Sequence, residues 1–275
     1  MTLKKRYTQE ICMKEINEKK EKTVEVLITT VDCKDFNGLL KKMNIQTNAM
    51  IGNQTSYNKI DSIDYNSLTI PVYSFNERGV GLNRNNLLMR SKADYCLFGD
   101  DDLIYVDGYE NIVNKYFCKY PDADVIVFNL DEKRKTRFVT EKDFKVNFFN
   151  FMRFGAARIA IKRESILLNG ISFNTCFGGG TKHNNGEDTL FLSSCLKQKL
   201  KIYAVSQTIA FLSDDRESTW FQGYTDKYFK DKGVLYYIMS KKYYKLLCLQ
   251  DAIRHRKEYN EKLTWMQIYK KMLGK

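Results

Sequence analysis

A chain of 275 residues, 43% hydrophobic and 13% aromatic, carries enough apolar material for a sizeable core, which excludes a disordered chain; two prolines and no Ser/Gly-rich tract exclude a long linker. Net charge is +12 but unevenly held: residues 216–275 carry 14 Lys/Arg against 6 Asp/Glu, a balance of +8, leaving +4 for the first 215. That basic tail suits nucleic acid, anionic lipid or a phosphorylated substrate, and its sign does not choose among them.

The N-terminus, Met1 to Lys22, is charged and lacks the apolar core of a signal peptide, and no stretch approaches the roughly 18 unbroken apolar residues of a spanning helix, so a cytoplasmic location is expected. Seven scattered cysteines (Cys12, Cys33, Cys96, Cys118, Cys176, Cys195, Cys248) without a C-x-x-C indicate reduced thiols rather than a disulfide framework or a zinc knuckle.

In chain order, a polar helical start (Thr8 to Lys22) precedes Val24 to Val31, a β-branched and mostly apolar strand. Helix Phe36 to Met43, the short strand Ala49 to Ile51, and Leu68 to Tyr73 follow; Pro71 marks the last of these as an edge or a strand end. Gly79 and Gly81 introduce helix Leu82 to Arg90, and Tyr95 to Phe98 is the next strand. Helix Gly108 to Lys119 and strand Asp124 to Phe128 complete an alternating pattern that predicts a doubly wound, mainly parallel sheet flanked by helices. From Glu132 to Phe149 the chain turns polar and irregular, as an insertion or lid would. Strand Arg158 to Ile161, helix Lys162 to Leu168, helix Thr189 to Gln198 and strand Lys201 to Val205 come next. Beyond Asp215 the pattern is helical and basic. Three parts are expected: an N-terminal helical segment (1–23), an α/β domain (24–215) and a C-terminal helical extension (216–275).

Two acidic groups stand out. Asp100, Asp101 and Asp102 follow Tyr95-Cys96-Leu97-Phe98 with only Gly99 between, at the carboxyl end of an expected buried strand. Three adjacent carboxylates repel, and hard divalent cations prefer oxygen ligands, so the cluster reads either as a metal site at the mouth of the sheet or as a solvated turn. Glu187-Asp188 opens a helix, where acids commonly cap free N–H groups. The preceding Gly178-Gly179-Gly180 implies close backbone approach or positive φ, which would present the pair at the rim of a cavity.

Taken together, these segments resemble the inverting, metal-dependent glycosyltransferases of family 2, with the GT-A fold. The resemblance rests on the first strand running into Thr29-Thr30-Val31-Asp32, on Gly81-Leu82-Asn83-Arg84-Asn85, on Phe98-Gly99-Asp100-Asp101-Asp102 as the D-x-D element, and on Phe177-Gly178-x-Gly180 through Gly186-Glu187-Asp188 as acceptor loop and E-D pair. Glu217 to Phe221, with Gly223-Tyr224 and Lys232-Gly233, resembles a later segment of bacterial polysaccharide-assembly members.

The resemblance implies a nucleoside-diphosphate sugar donor, a UDP-sugar by preference, and a divalent Mn2+ or Mg2+ held by Asp100 and Asp102, stabilising the diphosphate leaving group. Asp101 would be a ligand, a contact to the donor ribose or a partner of metal-bound water. Asp188 would be the general base that deprotonates an acceptor hydroxyl, with Glu187 orienting the acceptor or Asp188. Thr30, Asp32, Asn53, Gln54 and Asn85 would border the nucleotide; Arg84 would join them or pair with a surface acid; Arg216 would meet the diphosphate. Asn53-Gln54 stands where family members often carry an acid beside the base. The implied acceptor is a glycan or lipid-linked saccharide in surface polysaccharide assembly.

The apolar and basic residues of Tyr236 to Lys275 fit either an anionic membrane surface or packing on the chain's own domain. Two rivals remain. A nucleotidyltransferase would place a glycine-rich phosphate loop after its first strand, and Thr29 to Phe36 has no glycine. A nucleic-acid-binding module would leave Glu187-Asp188 without a purpose.

Overall fold

The computed structural model describes residues 22–133, 137–213, 223–259 and 263–275. Its strands are β1 (Val24–Val31), β2 (Asn48–Gln54), β3 (Lys59–Tyr65), β4 (Leu68–Phe75), β5 (Tyr95–Asp100), β6 (Leu103–Tyr105), β7 (Val125–Asp131), β8 (Phe144–Lys145), β9 (Ile159–Lys162) and β10 (Ile202–Leu212). They form one sheet in the order β3-β4-β2-β1-β5-β9-β7-β10-β6, with β8 also on β10. Strands β4, β2, β1, β5, β7 and β10 run one way, and β3, β9, β6 and β8 run against them. This is the mainly parallel α/β architecture of the GT-A type, with helices on both faces.

Side-chain alternation divides the core. Leu27, Met50, Cys96 and Phe98 point into one layer with Leu87, Phe173 and Phe191, while Val26, Ile28, Ile51 and Leu97 point into the other with Leu40, Val113 and Phe117. The helices are α1 (Phe36–Lys42), α2 (Val80–Arg90), α3 (Tyr109–Lys119), α4 (Arg163–Leu168) and α5 (Glu187–Lys197). Under α2 and α5, Phe173 stacks on Phe191 at 4.3 Å between ring centres and meets Phe98 edge-on at 4.9 Å.

Several features depart from the sequence reading, among them the short strands β6 and β8, neither of which was expected. β3 was not anticipated, because its polar, exposed residues alternate weakly; it pairs antiparallel with β4 and forms the outer edge. β4 is therefore interior, not an edge. Pro71 is tolerated because the parallel ladder to β2 begins only at Ile51–Val72, one residue later.

The C-terminal helices α6 (Asp226–Met239), α7 (Tyr244–Arg254), α8 (Arg256–Tyr259) and α9 (Trp265–Met272) bury Phe229, Leu235, Cys248, Ile268 and Met272 in the same layer as Phe191. At Gly233 a side chain would collide with the Met272 carbonyl, so glycine lets α6 and α9 approach backbone to backbone. Tyr243 and Leu246 stay exposed, and among the described residues no helix is long and apolar enough to cross a membrane. The helical start Thr8 to Lys22 falls, but for Lys22, outside the described residues, as do Arg216, Glu217, Trp220 and Phe221.

Candidate active site

Strand register brings the carboxyl ends of β1, β2 and β5 level, with Thr29 opposite both Gly52 and Asp100 and Thr30 opposite Asn53. Thr29 Oγ1 donates to Asp100 Oδ1 at 3.2 Å, and Thr30 Oγ1 donates to Asp101 Oδ2 at 2.6 Å. Asp102 follows in the turn to β6. Burial, and then the charges of Asp100 and Asp101, push its carboxyl up to about 6.

Arg84 links this end of the sheet to the second acidic group. Its guanidinium, only 3% exposed, donates from Nη2 to Asp100 Oδ1 at 2.7 Å and from Nη1 to Glu187 Oε1 at 3.1 Å, with the Phe173 ring 5.3 Å away. Burial works against its charge, and Asp100 and Glu187 outweigh burial, holding its pKa above the ordinary arginine range. The surface-acid alternative thus gives way to a buried double pair, because Arg84 lies one turn into α2 on the face toward α5.

Glu187 and Asp188 form the first turn of α5, after Gly186 in a left-handed conformation. Burial, followed by the neighbouring Asp188 charge, lifts Glu187 to about 7 against the pull of Arg84. Burial likewise raises Asp188, opposed by the Thr189 N–H and Arg84. Asp188 Oδ1 accepts from Thr189 N at 2.7 Å, while Oδ2 faces Gly155, where a side chain would sit 3.2 Å away. Glu187 is thus fixed by a cation, while Asp188 Oδ2 lies against Gly155, where the absence of a side chain leaves it room.

The glycine loop does what its composition implied at Gly178 and Gly180, which take positive φ, but not at Gly179, where a side chain would meet open space. Gly178, at φ +100°, lies where a Cβ would sit 2.6 Å from Val80 Cγ1 and 2.9 Å from Glu187 Cδ. Val80 N donates to Gly179 O at 3.0 Å, so the loop docks on the start of α2. Arg84, Glu187 and the loop therefore converge on one place.

The residues expected at the nucleotide gather beside it. Asn53 grips the Cys33 backbone through both amide atoms at 3.0 and 2.9 Å, and Gln54 Oε1 accepts from Gly79 N at 2.7 Å. Asp32, at φ +49°, pairs with Arg78 Nη2 at 2.8 Å. Asn85 uses its amide to clasp Phe173 N and O at 2.8 and 2.9 Å, tying α2 to that segment.

Arg78, Gly155 and Arg158 were missed by sequence reasoning. Arg158 is buried over Phe154 and donates to the Phe138 and Arg153 carbonyls at 2.8 Å each, bracing the 138–154 stretch behind Asp188. Burial, and then Arg137, bring its pKa down to about 10. The stretch Glu132 to Phe149 that read as a polar insertion buries Val146, and just beyond it Phe151 and Phe154 are buried as well.

No protein-family model and no curated protein sequence matches the chain. Solved structures do match in fold. The S. aureus TarS fragment 1–349 in complex with UDP-GlcNAc superposes with a TM-score of 0.62 at 13% identity, covering 92% of this chain and 80% of that one. The same fragment in complex with UDP gives 0.59 at 13% identity, over 91% and 80%. The longer TarS chain gives 0.56 at 14% identity, over 85% of this chain and 43% of that one. The chain therefore has the fold of TarS, a GT-A-like glycosyltransferase.

Proposed function

We propose that this chain is a metal-dependent, inverting glycosyltransferase of the family 2 kind. It transfers a sugar from a UDP-sugar to a hydroxyl of a glycan or lipid-linked acceptor in surface polysaccharide assembly. The observation that carries the reading is the Arg84 bridge, which draws the strand-end aspartates and the Glu187-Asp188 pair to one rim of the sheet. A transferase with direct displacement needs both, one for the leaving diphosphate and one for the incoming hydroxyl. The fold shared with a protein seen with UDP-GlcNAc supports the donor class.

Asp188 is the base in this reading, since Oδ1 is fixed by the Thr189 N–H while Oδ2 lies beside Gly155, where no side chain crowds it. Glu187, locked by Arg84, orients Asp188 or the acceptor. Attack from Asp188's side, opposite the diphosphate, inverts the anomeric carbon. Thr30 and Asp32 stand at the donor end, Asn53 and Gln54 hold the Cys33 and Gly79 backbone there, and Arg216 is a diphosphate contact.

The aspartate cluster fits a divalent ion: burial, and then the charges of Asp100 and Asp101, raise the Asp102 carboxyl, and a cation beside these three oxygen-bearing side chains would offset both. Among the described residues no three His, Cys, Asp or Glu side chains form a cage for a metal, so Asp100 and Asp102 would hold the ion with diphosphate oxygens and water completing its shell. Bound there, Mn2+ or Mg2+ supplies Lewis-acid stabilisation of the departing diphosphate.

Thermal unfolding with a panel of nucleotides tests the reading. UDP and UDP-GlcNAc with Mn2+ are expected to raise Tm by a few degrees, and EDTA to remove most of the shift. No shift with any nucleoside diphosphate, alongside a clear shift with RNA, would replace the reading with nucleic-acid binding.

A further inference from the structure

The 147–153 turn carries apolar side chains outward on a fixed frame. Phe149 is 95% exposed, and Phe148 and Met152 beside it are exposed as well, while Val146, Phe151 and Phe154 are buried and anchor the turn. The Asn147 carbonyl accepts from Asn150 N and Phe151 N at 3.1 Å each. Asn147 Oδ1 accepts from Phe149 N and Asn150 Oδ1 from Asn147 N, both at 2.8 Å. Phe148 meets Phe151 edge-on at 6.1 Å, and Arg158 holds the Arg153 carbonyl at 2.8 Å. Burying a phenylalanine is favourable, so a backbone braced to hold two of them in water gains nothing for the fold.

Charge gathers on the same stretch. Residues 132–154 hold 7 Lys/Arg against 3 Asp/Glu, which is the whole +4 surplus of the first 215 residues. Two of the acids are occupied: Glu132 pairs with Arg137 and Asp143 with Lys119, each at 2.6 Å. Lys142, Lys145 and Arg153 are exposed, and among the described residues none of them pairs with a carboxylate. Lys145 lies over the Tyr203 ring and Arg153 over the Phe138 ring, which leaves both charges open to an anion.

An outward aromatic pair flanked by cations without carboxylate partners fits a surface that is anionic above and apolar beneath. A protein partner would need a pocket shaped to the convex tip, whereas a bilayer deforms around it. We propose that the 147–153 turn docks the chain on an anionic membrane: Phe148, Phe149 and Met152 enter the boundary between headgroups and acyl chains, and Lys142, Lys145 and Arg153 meet the headgroup phosphates. Gly155, six residues beyond Phe149, borders Asp188 Oδ2, so docking brings that end of the site to the surface. The membrane contact thus falls to this turn rather than to the basic tail. The inference goes beyond the glycosyltransferase reading and is tested without it.

The test is co-sedimentation of the full chain with vesicles of equal parts phosphatidylglycerol and phosphatidylcholine, set against vesicles of phosphatidylcholine alone. The parent should bind the mixed vesicles and bind the neutral ones roughly 10²-fold more weakly, with each of three cations worth about fivefold. Phe148→Ser with Phe149→Ser should weaken binding to the mixed vesicles by roughly tenfold or more, and Lys142→Glu with Lys145→Glu by at least as much. The side chains replaced are exposed, so Tm of each variant should stay within about 2 °C of the parent. Leu246→Ser, at an exposed position on α7, should bind as the parent does.

A parent that sediments with neither vesicle, or equally with both, overturns the proposal, as do serine variants that keep parental binding. A loss confined to Leu246→Ser overturns it in favour of the tail. Serine variants that turn a dimeric parent monomeric while leaving vesicle binding unchanged assign the turn to a second copy of the chain instead. Sedimentation as expected in a chain that binds no UDP-GlcNAc upholds the docking and overturns only the donor reading.

Discussion

The two acidic groups are built from the same side chains and placed in opposite settings. Asp100 to Asp102 crowd a strand end, where Thr29 donates to Asp100, Thr30 donates to Asp101 and Arg84 pairs with Asp100. Glu187 and Asp188 sit in a glycine-framed recess at a helix start, where Glu187 is only 12% exposed and pushed up to about 7. The first setting favours a bound cation, and the second favours a carboxyl that exchanges a proton near neutrality. In the proposed reading, environment rather than residue type divides leaving-group work from base work. Arg84 belongs to both and keeps their mutual repulsion in check.

The largest expected break in this division is Asp188→Asn. The amide keeps the shape and cannot take a proton, so transfer should fall by about 10²- to 10⁴-fold while UDP-sugar binding, measured by calorimetry, stays near the parent value. Retained turnover would move the base role elsewhere. Next comes Arg84→Met, which leaves Asp100 and Glu187 without their buried partner. Chemical denaturation should show a loss of about 3–5 kcal/mol, and a loss under 1 kcal/mol would mean the carboxylates are balanced by other groups.

Much of this site was legible before the fold was known. Alternating strands and helices announced the sheet, and the aspartates stood out because an apolar strand ran straight into them. Gly178 and Gly180 signalled close approach, and both adopt positive φ. The Arg84 bridge was not legible, because α2 and α5 are distant in sequence and only the sheet order brings their faces together. Nor was Arg158, whose partners are backbone carbonyls that leave no trace in side-chain pattern. Strand β3 was hidden because an edge strand buries little and need not be apolar. The tail's charge suited several partners, whereas its helices share their apolar residues with the core layer behind α5.

A smaller effect probes the recess itself. Gly178→Ala adds a methyl against Val80 and the Glu187 carboxyl at a backbone angle unfavourable for alanine. Stability should fall by about 1–3 kcal/mol, and transfer should fall further than donor binding, because the displaced carboxyl belongs to the base side. Equal losses in both would show that the loop serves the whole rim.

The smallest effect is the most diagnostic of burial. Glu187 binds its proton more tightly in the folded chain, at about 7, than the ordinary glutamate value near 4.5. Between those values the folded state holds more protons than the unfolded one, so stability is fully supported below pH 4.5 and is lost as pH rises toward 7. The slope from this group is at most about 1.4 kcal/mol per pH unit, reduced where Asp188 shares the proton. Glu187→Gln should make the fall of Tm between pH 5 and 7 shallower, leaving the share carried by Asp102, whereas Asp61→Asn, at an exposed pair on β3 with a lowered carboxyl, should leave that stretch of the curve alone. Transfer should run the other way, rising with pH as the acidic pair loses its shared proton. Stability and activity moving in opposite directions over the same interval would mark Glu187-Asp188 as a site held ready at the expense of the fold.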